Sequence, residues 1–400
     1  MLVPKLRFKR EDGTEFLEWQ KESFSAVCDI VGGGTPSTEH KEYWNGSIQW
    51  FTPSEIGKSK YVSKSERTIS QIGFEKSSAR KLPVGTLLLT SRATLGEMAI
   101  ATEECTTNQG FQSLIPQNIY GEYIYYLKPI IKRYCNKKAC GSTFNEINKS
   151  ELGKCIIPVP CLEEQQKIAD FLSTVDEVIE QSEAEVQNLE QQKKGVMQKI
   201  FSKEVRFKRE DGTNFPEWEI KKLGELTKQV NIKNNTSRNY PVYSINNQKG
   251  FIPQIDQFED REVASTDKSN YRVVDYHQFA YNPSRINVGS IAYLKDKINV
   301  IVSPLYVIFE CLTELNPEFL DIYVRTSDFH KQRKINTAGS VRDSLSYEGF
   351  ADIKTAIPCF EEQQKIADFL SAYDEAITYA KQELDKWKEL KKGLLQQMFV

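Results

Sequence analysis

The stretch EEQQKIADFLS stands at residues 163–173 and again, letter for letter, at 361–371. The offset of 198 residues is about half of the 400-residue chain. Each copy opens a proline-free segment of helix-forming composition, Leu162–Phe201 and Phe360–Phe399, with one glycine near its end (Gly195, Gly393). Apolar residues recur at intervals of three and four. In the first copy one heptad position reads Ile168, Val175, Ser182, Leu189, Val196, and the position four residues on reads Leu172, Ile179, Val186, Lys193, Ile200. In the second copy the same positions read Ile366, Tyr373, Ala380, Trp387, Leu394 and Leu370, Ile377, Leu384, Lys391, Met398. This pattern predicts two helices, each about 60 Å long, with a coiled-coil seam of about five heptads. A lone amphipathic helix cannot bury its own seam, so the two are expected to pair.

A second repeat frames the first. LRFKREDGTEFLEW at 6–19 returns as VRFKREDGTNFPEW at 205–218, just after the first helical segment ends. The order is therefore circular: opening segment, globular region, helix, then the same again. Antiparallel helices would bring Val400 near Met1 and relate the halves by a pseudo-twofold axis. The globular regions, 23–159 and 220–357, are alike in length and unlike in sequence. Strand-like runs fall at 47–51, 86–90 and 96–101 in the first, and at 240–245, 278–281, 290–294 and 300–309 in the second. Helical runs are expected at 122–134 and 317–334. Shared landmarks are Ser91–Gly96 with Ser284–Gly289, Gly141-Ser142-Thr143 with Gly339-Ser340-Val341, and Pro160-Cys161 with Pro358-Cys359. The expected fold class is α+β, with two globular mixed α/β domains joined by two long antiparallel helices. The expected boundaries are 1–159 and 204–357 for the domains, and 160–203 and 358–400 for the helices.

Composition narrows the function. The chain carries net charge −2. The helical segments account for −5 and −2 of it, which leaves +5 on the other 320 residues. Mildly basic globular parts permit nucleic-acid contact without demanding it. No apolar run is long enough to span a membrane. The N-terminus lacks the apolar core of a signal peptide, so a cytoplasmic protein with reduced thiols is expected. The eight cysteines (28, 105, 135, 140, 155, 161, 311, 359) have spacings that fit zinc poorly.

Catalytic motifs are weak. The three histidines, His40, His277 and His330, sit in no metal-ligand spacing. Gly32-Gly33-Gly34-Thr35-Pro36 lacks the ending of a phosphate-binding loop. It reads instead as a turn, plain or lying against a nucleic-acid backbone, with Thr35 and Ser37 as candidates. Tyr281-Asn282-Pro283-Ser284 lacks the second proline and the aromatic of an amino-methyltransferase motif. Glu163-Glu164 and Glu361-Glu362 begin helices, where acidic residues complement the macrodipole. Arg92 and Arg285 occupy equivalent landmarks. Each could pair with guanine or grip phosphate, or form an internal salt bridge. Their polar neighbours complete the candidate DNA-contacting set: Thr90, Ser91, Thr94, Asn108, Gln109 and Gln112 in the first region, and Tyr281, Ser284 and Asn287 in the second. No catalytic or metal-binding residue is expected.

The two EEQQKIADFLS openings, GGTPS (33–37), TSRATLG (90–96), TTNQGFQSL (106–114) and YNPSR-x-N-x-GS (281–290), in circular order, resemble the DNA-specificity subunit of type I restriction–modification systems. The likeness runs over essentially the whole chain. It implies a non-catalytic reader whose two recognition domains each read one half of a bipartite, asymmetric DNA site. It implies helices that space the domains and dock two methyltransferase subunits. Candidate coiled-coil and docking positions are Ile168, Leu172, Val175, Ile179, Val186, Leu189, Ile366, Leu370, Tyr373, Ile377, Leu384 and Trp387. S-adenosylmethionine, Mg and ATP would belong to the methyltransferase and restriction subunits. Two other readings stay open at this point: a fused methyltransferase or nuclease, and a coiled-coil adaptor for two proteins.

Overall fold

The computed structural model describes residues 4–139, 146–235, 239–247, 249–257, 267–337 and 344–399. The landmarks at 141–143 and 339–341, Cys140, and the Met1 and Val400 expected to be neighbours fall outside them. The long helices run Leu162–Phe201 and Phe360–Phe399, as the heptads require. None of the twenty seam positions is exposed. The chain divides into two compact units, Met1–Ala184 with Gln382–Val400, and Glu185–Lys381. Each unit takes half of each helix, so the helices form no unit of their own.

Within each unit the helices pair antiparallel. In the first, Asp176 pairs with Lys391 and Glu183 with Lys388. In the second, Glu190 pairs with Lys381 and Lys193 with Asp374. Partners descend along the second helix as they climb the first. Lys193 and Lys391, polar intrusions at equivalent seam positions, thus each meet the equivalent aspartate.

The start of each helix is part of a globular core. Ile168, Ala169 and Leu172 are buried with Phe24, Leu87, Tyr123 and, from the second helix, Met398 and Phe399. Ile366, Ala367 and Leu370 are buried with Leu223, Phe279, Phe319 and Ile200. Each such burial contributes roughly 1.5–3 kcal/mol for a large aliphatic side chain. Ile168, Leu172, Ile366 and Leu370 are therefore corrected as docking positions, because the chain's own globular regions cover them.

The opening segments lock onto the same place. Arg7 donates Nε and Nη2 to Glu164 at 3.1 and 2.8 Å, and Trp19 donates its indole N–H to the same carboxylate at 2.9 Å. Arg206 and Trp218 repeat this on Glu362 at 3.2, 2.9 and 3.0 Å. Both glutamates are 0% exposed. The helix-dipole account of these acids is corrected: the second of each pair is a buried, fully hydrogen-bonded partner of arginine. The next residue also works internally. Gln165 accepts from the Tyr120 amide and donates to the Pro160 carbonyl, both at 2.8 Å. Gln363 accepts from the Asn316 amide at 2.7 Å and donates to the Pro358 carbonyl at 2.9 Å. Tyr120 and Asn316 are the N-caps of the short helices Gly121–Tyr126 and Pro317–Tyr323.

Both units build one central antiparallel order. In the first it runs Cys28–Gly32, Gln112–Pro116, Leu87–Leu89, Met98–Ala101, with Tyr61–Val62 added in parallel. In the second it runs Thr227–Val230, Val307–Cys311, Gln278–Tyr281, Ile291–Tyr293. The strand run expected at 300–309 is broken, because a turn at Ser303-Pro304 separates Val300–Val302 from Val307–Cys311. Both predicted short helices are broken as well. Pro129 follows the break at Leu127, where it lacks the N–H and ring clearance an interior helical residue needs. Thr326 interrupts the other, its hydroxyl accepting from the Phe329 amide and donating to the Tyr323 carbonyl. Cys28, Cys105, Cys135 and Cys155 are buried free thiols, and among the described residues no acidic, His or Cys group of three is placed to hold a metal.

Candidate nucleic-acid interface

In the first unit the glycine loop after Cys28–Gly32 folds against the end of the strand Cys105–Thr107. The Gly34 amide donates to the Thr107 carbonyl at 2.9 Å. A Cβ on Gly33 would lie 2.0 Å from the Asn108 carbonyl oxygen and 2.3 Å from the Thr107 hydroxyl, so only glycine allows this approach. Thr35 then hydrogen-bonds the Gln109 side chain. The loop at 108–110 is held by the Asn108 side chain, which accepts from the Gly110 amide at 2.8 Å. It joins the hairpin loop through Ser91 N–H to the Gly110 carbonyl, also 2.8 Å. Thr94 closes the group by donating to the Pro53 carbonyl at 3.2 Å. Thr35, Ser37, Thr94 and Gln109 are exposed on this cluster, with Asn108, Arg92 and Gln112 half-buried.

Two of the candidates turn inward. Thr90 and Ser91 are 0% exposed. The Thr90 hydroxyl donates to the Thr94 carbonyl and accepts from the Glu97 amide, which ties the hairpin together. These two are corrected from base contacts to framework. Glu97 anchors the far side of the hairpin through Lys128 and Lys132. Burial works to raise its carboxyl, but the two lysines prevail and hold it below the usual carboxylate range. Arg92 lies 3.9 Å from Glu146, too long for a hydrogen bond.

The second unit carries the equivalent hairpin loop between Gln278–Tyr281 and Ile291–Tyr293. Gly96 and Gly289 share left-handed φ values of +80° and +89°. The loops differ by one residue. Ile147 N–H donates to the Ser91 carbonyl at 3.0 Å, whereas the equivalent Leu345 donates to Pro283, not Ser284, at 3.1 Å. That slip places Ser284 outside while Ser91 is inside. Ser284, Arg285 and Asn287 are exposed together. Tyr281 is not with them: it is 0% exposed among Phe309 and Phe350, and burial pushes its phenol up. It is corrected to a core residue.

A feature unseen in the sequence lies beside the first cluster. Trp44 donates its indole N–H to the Ser37 carbonyl at 3.1 Å, and Trp50 donates to the Gly34 carbonyl at 2.8 Å. The rings meet edge to face with centroids 5.0 Å apart. Arg67, paired with Trp50 across the strand ladder, lays its guanidinium 3.8 Å from the Trp44 ring centre. The alternation of Trp44 and Trp50 in one strand was a usable signal. The position of Arg67 required the register between two strands.

A family model described as the type I restriction modification DNA specificity domain matches residues 17–191 and 216–388. The chain belongs to this family. The two matched segments of this specificity family each contain one globular region and the start of one long helix. The MjaIX specificity subunit of Methanocaldococcus jannaschii is 35% identical over 283 residues, which covers 67% of this chain and 65% of that one. The EcoR124I/EcoR124II specificity subunit of Escherichia coli is 30% identical over 171 residues, covering 40% and 41%. The chain thus spans less than two thirds of the length of either relative. The solved S subunit of a type I system from M. genitalium shares the fold with a TM-score of 0.59 at 17% identity, over 100% of this chain and 99% of that one.

Proposed function

We propose that this chain is the DNA-specificity subunit of a type I restriction–modification enzyme. Each unit reads one half of a bipartite, asymmetric site in double-stranded DNA. The paired helices set the gap between the halves and dock two methyltransferase subunits, and restriction subunits join that complex. The chain itself reads and positions. S-adenosylmethionine-dependent methylation of adenine, and ATP- and Mg-dependent cleavage, belong to the partners.

The observation that carries this reading is a contrast. The frame repeats atom for atom in Arg7–Glu164–Trp19 and Arg206–Glu362–Trp218. The exposed polar residues mounted on that frame do not repeat, even on the equivalent hairpin loop: Thr35, Ser37, Thr94 and Gln109 in one unit, Ser284, Arg285 and Asn287 in the other. One frame holding two unlike polar surfaces suits a reader of two unlike half-sites. Names of the relatives as specificity subunits support the same reading.

The test is DNA retention by the complex of this chain with the modification subunit from its own operon. Retention is expected to be sequence-selective and to weaken steeply with salt as phosphate contacts release counterions. A stable complex that retains all DNA sequences equally, or none, would replace this reading with a coiled-coil adaptor.

A further inference from the structure

We propose that Arg67 is a base-reading side chain of the first unit and selects a guanine in its half-site. This rests on the reading of that unit as a DNA-recognition domain.

Three observations place it there. First, Arg67 is exposed, and among the described residues no carboxylate pairs with its guanidinium. Its charge is thus available to an outside partner. Second, it is held ready. The guanidinium stacks on Trp44 at 3.8 Å and lies 5.5 Å from the Trp50 ring centre. Stacking uses the flat face of the group and leaves its N–H edge for hydrogen bonds. The platform is itself fixed, because both indole N–H groups are spent on loop carbonyls at Ser37 and Gly34. Third, those carbonyls belong to the loop that carries Thr35 and Ser37, so Arg67 stands at the candidate interface. Arg92, by comparison, has among the described residues the distant Glu146 and no aromatic ring beneath its guanidinium.

The chemistry that fits a pre-oriented planar fork is a pair of acceptors side by side. Guanine O6 and N7 in the major groove present that pair, and no other base edge there does. A phosphate could also take the fork, and it would carry no sequence information. The experiment must separate these two uses.

The wild-type complex with its modification subunit is expressed in a methylation-free host, and methyladenine is mapped across the genome. The Arg67→Ala and Arg67→Gln complexes are mapped in parallel, with thermal unfolding of each to establish folding. A bipartite motif from the wild type supports the underlying reading, and its absence overturns that reading whatever the variants do. Given the motif, both variants should relax one guanine position in one half, with the other half and the gap unchanged. In competition binding, discrimination at that position should fall roughly 5- to 150-fold. A lower methylation level on an unchanged motif would identify a phosphate contact and overturn the proposal. An unchanged motif at an unchanged level would overturn it too. If Arg67→Ala unfolds the unit, Arg67→Gln, which keeps a polar stem over Trp44, decides between the outcomes.

Discussion

The backbone N–H of Leu6 donates to the carbonyl of Gln397 at 3.2 Å. Val205 makes the equivalent bond to Lys199 at 3.1 Å. The second joint lies within continuous chain, after the first long helix. The first is the same joint made between the two ends of the chain. A permuted chain, opened between Lys203 and Glu204 and closed from Val400 to Met1 by a short linker, therefore exchanges which joint is continuous. It should fold, unfold thermally within a few degrees of the parent, and direct methylation to the same sites. A permutant that is insoluble or redirects methylation would show that the two joints are not equivalent.

The buried carboxylates predict the cost of breaking each clamp. Arg7→Ala leaves Glu164 buried and without its cation, and Arg206→Ala does the same to Glu362. Each should destabilise its own unit by about 3–5 kcal/mol. Replacing Arg7 and Glu164 together by methionine and leucine should cost much less, because no charge is then stranded. Denaturant titration of the parent, Arg7→Met, Glu164→Leu and the double replacement, as a double-mutant cycle, checks this. Equal losses for the single and the double replacement would contradict it.

Neighbouring glycines predict unlike effects. A Cβ on Gly33 would overlap the Asn108 carbonyl, while one on Gly32 meets nothing nearer than Gln112 Oε1 at 3.9 Å. Gly33→Ala should cost roughly 1–3 kcal/mol through forced backbone movement. It should also abolish recognition of one half-site. Gly32→Ala should leave both stability and recognition close to the parent. Thermal unfolding with methylation assays reads both.

The seam lysines predict a charge-swap pattern. Lys193→Glu faces Asp374 with a like charge and should destabilise by about 1 kcal/mol, given the partial exposure of the pair. Adding Asp374→Lys should restore most of the loss. Lys391 with Asp176 should behave in the same way. Lys193→Leu leaves only the exposed Asp374 unpaired and should be close to neutral, whereas Lys391→Leu strands the half-buried Asp176 and should lower the unfolding midpoint.

Much of the frame was legible because periodicity reports which face of a helix is covered. It does not report what covers it. The heptads placed Ile168 and Leu172 inward correctly, yet their neighbours are Tyr123 and Phe24 as much as the other helix. Glu164 read as a first-turn acid because nothing local to it marks a partner 157 residues away at Arg7. The recurrence of Arg7, Trp19 and Glu164 as Arg206, Trp218 and Glu362 held that information. Only pairing the three in space reveals it. Which candidate interface residues are exposed was half legible. Turn chemistry located the exposed Thr35, Gln109 and Arg285, but the same motifs contain Thr90, Ser91 and Tyr281, whose side chains point into the hairpin and the core. Arg67 has no motif; strand register alone sets it on Trp44.

The most direct test of the central claim is a methylation map of the genome of a methylation-free host that expresses this chain with its modification subunit. A single bipartite motif with a fixed gap is predicted, and exchange of residues 23–159 for those of another family member should change one half of it only. A stable complex that methylates nothing, or an exchange that alters both halves, would contradict the account.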